Sequence, residues 1–230
     1  MRKATFLSMI LFLSATLLSC RKEIKSPKGG IDIISNVYFT ASKSLDSMKS
    51  FHVSKLNYMG DSIIEFVPSL EIPEIITNKY FINDSVYFDI NKGNEIENGM
   101  PLLPAMSKYQ FARSVYNKRI GAIYTKEPLI NYKNRKNLSD TILFGKEYQR
   151  FEIKSPWNYT RFYIYKTDTI LPYSLYKNVE NDYKGRLERI DSYNRKTDIF
   201  VSVQLIPRKI LDKEAEDIFK FNLFANKIKK

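Results

Sequence analysis

The chain holds one histidine and one cysteine, His52 and Cys20, and that inventory bounds its chemistry. Ser-His and Cys-His nucleophile systems and multi-histidine zinc sites need partners that one imidazole cannot supply. No phosphate-binding loop, dinucleotide-binding glycine pattern or calcium-loop spacing occurs. General acid–base work by paired carboxylates needs only two acids, and Glu65, Glu71, Glu74, Asp89, Glu95 and Glu97 are available. No spacing singles out a pair among them, so they read as solvated charge. His52 opens an expected strand and reads as structural or surface. The expectation is a protein with no catalytic residue, no metal site and no cofactor.

Cys20 is different, because its surroundings assign it a chemistry. Arg2 and Lys3 precede a run from Ala4 to Leu18 that is apolar apart from Thr5, Ser8, Ser14 and Thr16. That is the pattern of a secretory signal peptide. The run is too short for a hydrocarbon core of roughly 30 Å, which takes about 20 apolar residues. Arg21-Lys22-Glu23 then closes it with charge. The junction Leu17-Leu18-Ser19-Cys20 resembles the lipobox of bacterial lipoproteins, which implies cleavage between Ser19 and Cys20 and fatty acylation of Cys20, by chains such as palmitate. A lone thiol in an oxidising envelope would otherwise be a reactive residue without a partner. Two or three acyl chains, at about 0.8 kcal/mol per buried methylene, hold a protein firmly on its membrane.

A second modification signal recurs along the chain. An Asp, a hydroxyl residue and an aliphatic residue follow one another at Asp46-Ser47-Met48, Asp61-Ser62-Ile63, Asp84-Ser85-Val86, Asp140-Thr141-Ile142 and Asp168-Thr169-Ile170. These triplets resemble the O-glycosylation sequon of Bacteroidota envelope proteins, which implies Ser62, Ser85, Thr141 and Thr169 as acceptors. Asp-Ser and Asp-Thr also begin strands after turns, where their side chains cap the backbone. Both roles can hold at one position.

The charge of the full chain is +12, and loss of Arg2 and Lys3 with the signal peptide leaves 12 − 2 = +10. Such a field favours anionic partners. No recognition motif or dense basic helix points to nucleic acid, and none is expected as a partner. Anionic lipid head groups fit an anchored protein better; a general abundance of Lys, Asn, Ile and Tyr is the plainer source of the charge. With no second cysteine there is no disulfide, so stability must come from burial, for which Tyr, Phe and Ile supply the material.

The elements that must carry these features read as follows. Residues 1–19 are the signal peptide, residues 20–30 the lipidated cysteine and a flexible tether containing Ser26-Pro27-Lys28-Gly29-Gly30, and residues 31–230 one globular domain. Ile33, Ile34, Val37, Tyr38, Ala41, Leu45 and Met48 recur at three- and four-residue steps, which predicts an amphipathic helix. Phe51 to Val67 reads as a hairpin about Gly60-Asp61, and Lys79 to Ile90 as another about Asn83-Asp84-Ser85, with a loop from Pro68 to Thr77 between them. Asn91 to Asn94 has turn chemistry. Ala105 to Lys118 has helical spacing. Strands are predicted at Glu147–Lys154, Tyr159–Lys166, Tyr173–Lys177, Arg186–Tyr193 and Ile199–Leu205, pairing as an antiparallel meander. Pro207 is expected to stop the last of these, and a helix with apolar spacing from Ile210 to Leu223 follows. The predicted class is α+β, a curved antiparallel sheet with two or three helices.

From Asp140 to Phe200, a strand through Gly145-Lys146-Glu147-Tyr148 leads into Phe162-Tyr163-Ile164-Tyr165 and then to Asp168 to Pro172 before the next strand. That series, with the junction from Leu45 to Leu56, resembles the half-barrel of the outer-membrane lipoprotein-sorting carrier and receptor family (LolA/LolB-like). The likeness covers about half of the mature chain. It implies noncovalent binding of a lipid or a lipoprotein acyl chain between a curved sheet and helices that act as a lid. Phe162 and Ile164 on one face, or Tyr159, Tyr163 and Tyr165 on the other, would be the ligand contacts. The family's exposed apolar loop has only Pro68 to Thr77 as its counterpart. The alternative is an envelope interaction protein without a ligand cavity, such as an assembly accessory or immunity-type factor. Arg21-Lys22-Glu23-Ile24-Lys25 does not resemble the acidic signal for surface export, which favours an outer-membrane anchor facing the periplasm.

Overall fold

A computed structural model describes residues 23–90, 96–97, 100–101 and 112–228. The signal peptide expected at residues 1–19, Cys20, the turn expected at Asn91 to Asn94, Glu95 and most of the helix expected from Ala105 lie outside the described residues. The main element is an open antiparallel sheet of eleven strands, made of two meanders. One meander is β2 (Lys28–Phe39), β3 (Met48–Met59), β4 (Ser62–Pro68), β5 (Ile76–Asn83), β6 (Val86–Asp89) and the short β9 (Arg113–Ser114). The other is β10 (Lys136–Leu143), β11 (Lys146–Lys154), β12 (Asn158–Tyr165), β14 (Arg186–Asn194) and β15 (Ile199–Arg208). They are joined where β15 pairs with β2, from Ile199 opposite Phe39 to Arg208 opposite Gly30. Two small ladders stand apart: β1 (Ile24–Lys25) with β13 (Thr169–Ile170), and β7 (Ile96–Glu97) with β8 (Met100–Pro101). The helices among the described residues are α1 (Lys177–Tyr183) and α2 (Lys213–Ile228). Neither is long and apolar enough to cross a membrane.

Both hairpins of the first half, four of the five strands expected in the second and the terminal helix are as the sequence pattern predicts. The segment from Ile33 to Met48 is not a helix. Its apolar residues fit a period of two as well as 3.6, and its β-branched content (Ile33, Ile34, Val37) disfavours a helix. Strands β15 and β3 on either side satisfy the backbone of β2 along most of its length. An extra residue, Val53, in β3 shifts the register between Ile33 and Ile34.

The flexible tether expected over residues 20–30 is not what the chain forms from Ile24 onward. Ile24 and Lys25 pair with Thr169 and Ile170, and the strand begins at Lys28. Gly29 and Gly30 are buried, and they serve close approach instead of flexibility. A Cβ on Gly29 would lie 2.6 Å from the Arg208 carbonyl oxygen, and one on Gly30 would lie 2.6 Å from the Arg208 guanidinium.

Three further expectations differ. Tyr173 to Lys177 forms no strand, because Pro172 offers no ladder donor and the chain turns into α1. Arg113 to Asn117, expected as the end of a helix, is a short strand followed by a 3₁₀ turn. Pro207 does not stop β15, which continues to Arg208. The ladder with β14 ends at Gln204, so the flank of Pro207 without an N–H needs no partner there. The pattern also missed β10, whose exposed and half-buried positions follow no clean alternation.

The sheet buries both faces over its central strands. On one face, Ile31, Ile33, Leu56, Tyr58, Ile63, Val67, Tyr80, Ile82 and Leu205 pack beneath residues 115–124 and Tyr173. Further along it, Phe151, Phe162, Ile164 and Leu187 pack against Val179 of α1. On the other face, Ile64, Phe66, Phe81 and Phe88 pack against Ala215, Ile218 and Phe219 of α2. The start of α2 is held to the sheet by Asn57, whose side-chain amide donates to Asp212 Oδ2 (2.9 Å) and whose oxygen accepts the Asp212 N–H (2.7 Å).

Candidate functional site

The acid that stands apart from the other candidate carboxylates is Glu65, which lies in the centre of β4 with no solvent exposure. Its partner, Lys118, comes from the segment that crosses this face of the sheet. The Lys118 ammonium lies 2.7 Å from Glu65 Oε2 and donates to Oε1 at 2.9 Å. Oε1 also accepts from the Ser54 hydroxyl (2.8 Å) and the Ala122 N–H (2.6 Å). Lys118 completes its bonding to the carbonyls of Ile120 and Ala122, both at 2.7 Å. Its ammonium also lies 5.4 Å from the Tyr80 ring centre. The segment 118–122 is thus tied to the sheet by a buried, hydrogen-bonded ion pair. Gly121 has φ +76°, and a Cβ there would lie 2.2 Å from Glu65 Oε1.

Burial pushes the Glu65 carboxyl above its ordinary value, and the Lys118 charge and hydrogen bonds pull against that shift. Burial likewise pushes Lys118 down, opposed by Glu65. Burial and then the charge of Glu65 raise the nearby Tyr124 and Tyr173 hydroxyls. For Glu65 the folded state holds its proton more tightly than the unfolded state, whose pKa is about 4.5. Its contribution to stability is therefore greatest at or below that value and declines as pH rises through the raised folded value. Urea unfolding followed from pH 4.5 upward should show this decline in the wild type and not in Glu65→Gln. Equal slopes in the two proteins would refute it.

The other candidates are dispersed. Glu71 and Glu74 are exposed in the loop after β4, and Asp89 is half-buried on β6 opposite Tyr80. His52 is half-buried on β3 opposite Ile34. Among the described residues no group of three His, Cys, Asp or Glu could hold a metal ion. Of the hydroxyls in the Asp-Ser and Asp-Thr triplets, Ser85 is exposed at the β5–β6 turn, whereas Ser62, Thr141 and Thr169 are half-buried in strands β4, β10 and β13.

The five aromatic and aliphatic positions of β12 divide between the faces as expected. Phe162 and Ile164 are buried under α1, with Phe162 stacked on Phe151 at 4.5 Å. Tyr159, Tyr163 and Tyr165 lie on the other face within a lattice of charged groups. Tyr159 donates to Glu152 (2.8 Å), Arg189 lies 5.8 Å from the Tyr163 ring, and Lys146 lies 4.9 Å from Tyr165. None of the five lines the cavity between β13 and α1.

That cavity has a volume of about 540 Å³. One wall is Ile170, Leu171 and Tyr173, and the rest carries Glu23, Asp168 and Glu180 with Lys177, Lys184 and Arg186. Burial raises the Glu180 carboxyl, which accepts the Leu187 N–H at 3.1 Å. Arg186 is engaged by Glu188 at 2.7 Å. Sequence reasoning missed this cavity, because its walls come from three segments that only the fold brings together.

The register also sorts the exposed apolar residues into two ends. The β2–β3, β4–β5, β11–β12 and β14–β15 connections lie at one end, since Tyr38 pairs with Met48, Pro68 with Ile76, Asn158 with Asn194 and Ile199 with Phe39. Leu45, Leu70, Ile72, Ile75 and Trp157 project there, Leu70 at 65% and Trp157 at 61% exposure. The opposite end holds the β3–β4, β5–β6 and β10–β11 turns, the end of β15 and the first described residues, where Lys25 faces Asp61 at 3.8 Å. No protein-family model matches the chain, and no curated protein matches it significantly.

Proposed function

We propose that this protein is a lipid-anchored envelope lipoprotein, held through Cys20 on a membrane facing the periplasm, that acts by binding and not by catalysis. Its sheet is a rigid platform, and the apolar loops at the end remote from the tether, centred on Leu70, Ile72 and Ile75, engage another envelope component. The observation that carries this reading is the Glu65–Lys118 pair. It pins residues 118–122 over the sheet face where an acyl chain would lie beneath a lid, and the same face is filled beside it by Tyr173 and α1. Leu70, Ile72 and Ile75 are exposed together in one loop, and apolar side chains grouped in the solvent mark an interaction site where isolated ones do not.

Site-specific photo-crosslinking from position 72 in living cells tests the reading. A discrete adduct that disappears in the Leu70→Asp variant is expected. Labelling that is diffuse, or indifferent to Leu70, would count against it. Intact mass of protein from its own host reads both acylation at Cys20 and any sugar on Ser62, Ser85, Thr141 or Thr169, of which Ser85 is the most accessible.

The second reading is binding of a lipid or lipoprotein acyl chain in a half-barrel of the lipoprotein-sorting kind. Two features favour it: the open antiparallel sheet, and a cavity of about 540 Å³ within the range of small-ligand sites. Native mass spectrometry with lipid extraction separates the two, since an acyl ligand that copurifies would favour the second.

A further inference from the structure

Phe144 stands at the tip of the β10–β11 hairpin with 82% of its surface exposed. It has φ +52° and is followed by Gly145 at φ +73°. A two-residue turn with positive φ at both positions is the type that favours Asn-Gly or Asp-Gly. Phenylalanine there carries backbone strain and an exposed ring at once, the ring meeting only the Arg189 guanidinium at 5.8 Å. Ile142 lies just before it, at 73% exposure. At the same end of the sheet, Ile210 follows β15 and Ile24 lies in β1, both exposed.

Cations surround these side chains. Lys25, Lys146, Lys166, Lys184 and Lys209 are exposed at this end. Of the acids there, Asp61 faces Lys25, and Glu188 is engaged by Lys146 and Arg186; Glu23, Asp84, Glu147 and Asp168 are exposed as well, so that with Lys28 at the start of β2 the exposed lysines keep a small excess. Cys20 is three residues before Glu23, and three residues span at most about 11 Å. Arg21 and Lys22 in that interval add two more positive charges. An acylated Cys20 would therefore hold this end, and no other, against the membrane surface.

We propose that the tether end of the sheet docks on an anionic phospholipid leaflet, with Phe144 and Ile142 entering the interfacial layer and the lysines on the head-group phosphates. This rests on the lipoprotein reading and adds an orientation to it. One acyl anchor leaves a domain free to tumble; a basic surface with apolar tips adds a second attachment and fixes its angle. The apolar loops at Leu70, Ile72 and Ile75 then point away from the membrane, toward whatever they bind.

The chain's single tryptophan provides the test, because Trp157 lies at the far end. The acylated full-length protein would be placed in vesicles of phosphatidylethanolamine and phosphatidylglycerol carrying brominated acyl chains, which quench only indoles at membrane depth. The wild type reports on Trp157, and the double variant Trp157→Phe, Phe144→Trp reports on the hairpin tip. Quenching at the tip about twofold or more above that of Trp157 is expected, given that interfacial side chains sit roughly 5–10 Å into the boundary. The difference should shrink in phosphatidylcholine vesicles. Equal quenching at both ends, stronger quenching of Trp157, or none at either would overturn the proposal. Intact mass of the same preparation reads acylation separately. A missing acyl group would remove the anchor, while quenching after adding that protein to the vesicles would still decide the docking.

Discussion

Lys118→Met is expected to lower the free energy of unfolding by about 3–5 kcal/mol, because it leaves the Glu65 carboxylate buried without its counter-ion. Methionine keeps most of the volume of the lysine stem, so the loss reports charge and not a cavity. In a domain of this size each kcal/mol moves the thermal midpoint by roughly 2–4 °C, which places the expected fall at roughly 6–20 °C. Glu65→Gln should cost less, since a neutral amide oxygen at this position can still accept from the Lys118 ammonium, whose other acceptors are the carbonyls of Ile120 and Ala122. The double variant should recover part of the loss, giving a coupling energy of about 1–3 kcal/mol in a double-mutant cycle. A Lys118→Met protein with the wild-type urea midpoint would show that the pair does not hold the segment. Limited proteolysis provides an independent readout, because Arg119 is exposed beside the pair and a released segment should be cut there sooner.

The second large effect is expected at Phe151. Its ring is fully buried on β11, stacked on Phe162 at 4.5 Å and on Tyr183 of α1 at 5.2 Å, with Tyr132 edge-on at 5.6 Å. Phe151→Ala should cost about 3–5 kcal/mol, the lost transfer energy plus the void left among three rings. Loss of the Tyr183 stack also loosens α1, and with it the wall of the cavity lined by Lys177, Glu180 and Asn181. Accelerated amide exchange in 177–183, measured in this variant under native conditions, should accompany the fall in stability. Phe144→Ala, at an exposed ring, is the matched control and should stay within about 0.5 kcal/mol of wild type. Equal effects at the two phenylalanines would refute the packing assignment.

Local signals carried the reading wherever one segment contains all the information. The Gly60-Asp61 and Asn83-Asp84-Ser85 turns, with alternating residues around them, identified two hairpins, because turn chemistry and a period of two act over a few residues. The apolar face of α2 was legible in part for the same reason: Ala215, Ile218 and Phe219 return to one side at helical spacing, whereas Leu223, read with them, is exposed and Asn222 takes the buried place. Ile33 to Met48 failed because its spacing satisfies both periods, and only pairing with β15 and β3, from distant parts of the chain, decides for a strand. Gly29 and Gly30 misled similarly, since glycine marks a flexible linker and a close backbone contact alike.

What the sequence determines by itself is the charged and then apolar pattern before Cys20, the single histidine and single cysteine, the basic charge and the antiparallel character of the chain, because each depends on composition or short-range order. What only the tertiary structure decides is which charges meet and which apolar residues remain outside. Glu65 and Lys118 are 53 positions apart and look like any surface acid and base until β4 and the crossing segment enclose them. Phe144 and Leu70 look like core residues until the register sends them to opposite ends of the sheet. The physical reason is the same in both cases: burial and charge pairing depend on distances in space, and in a sheet whose central seam joins β15 to β2 those distances are set by contacts far apart in sequence.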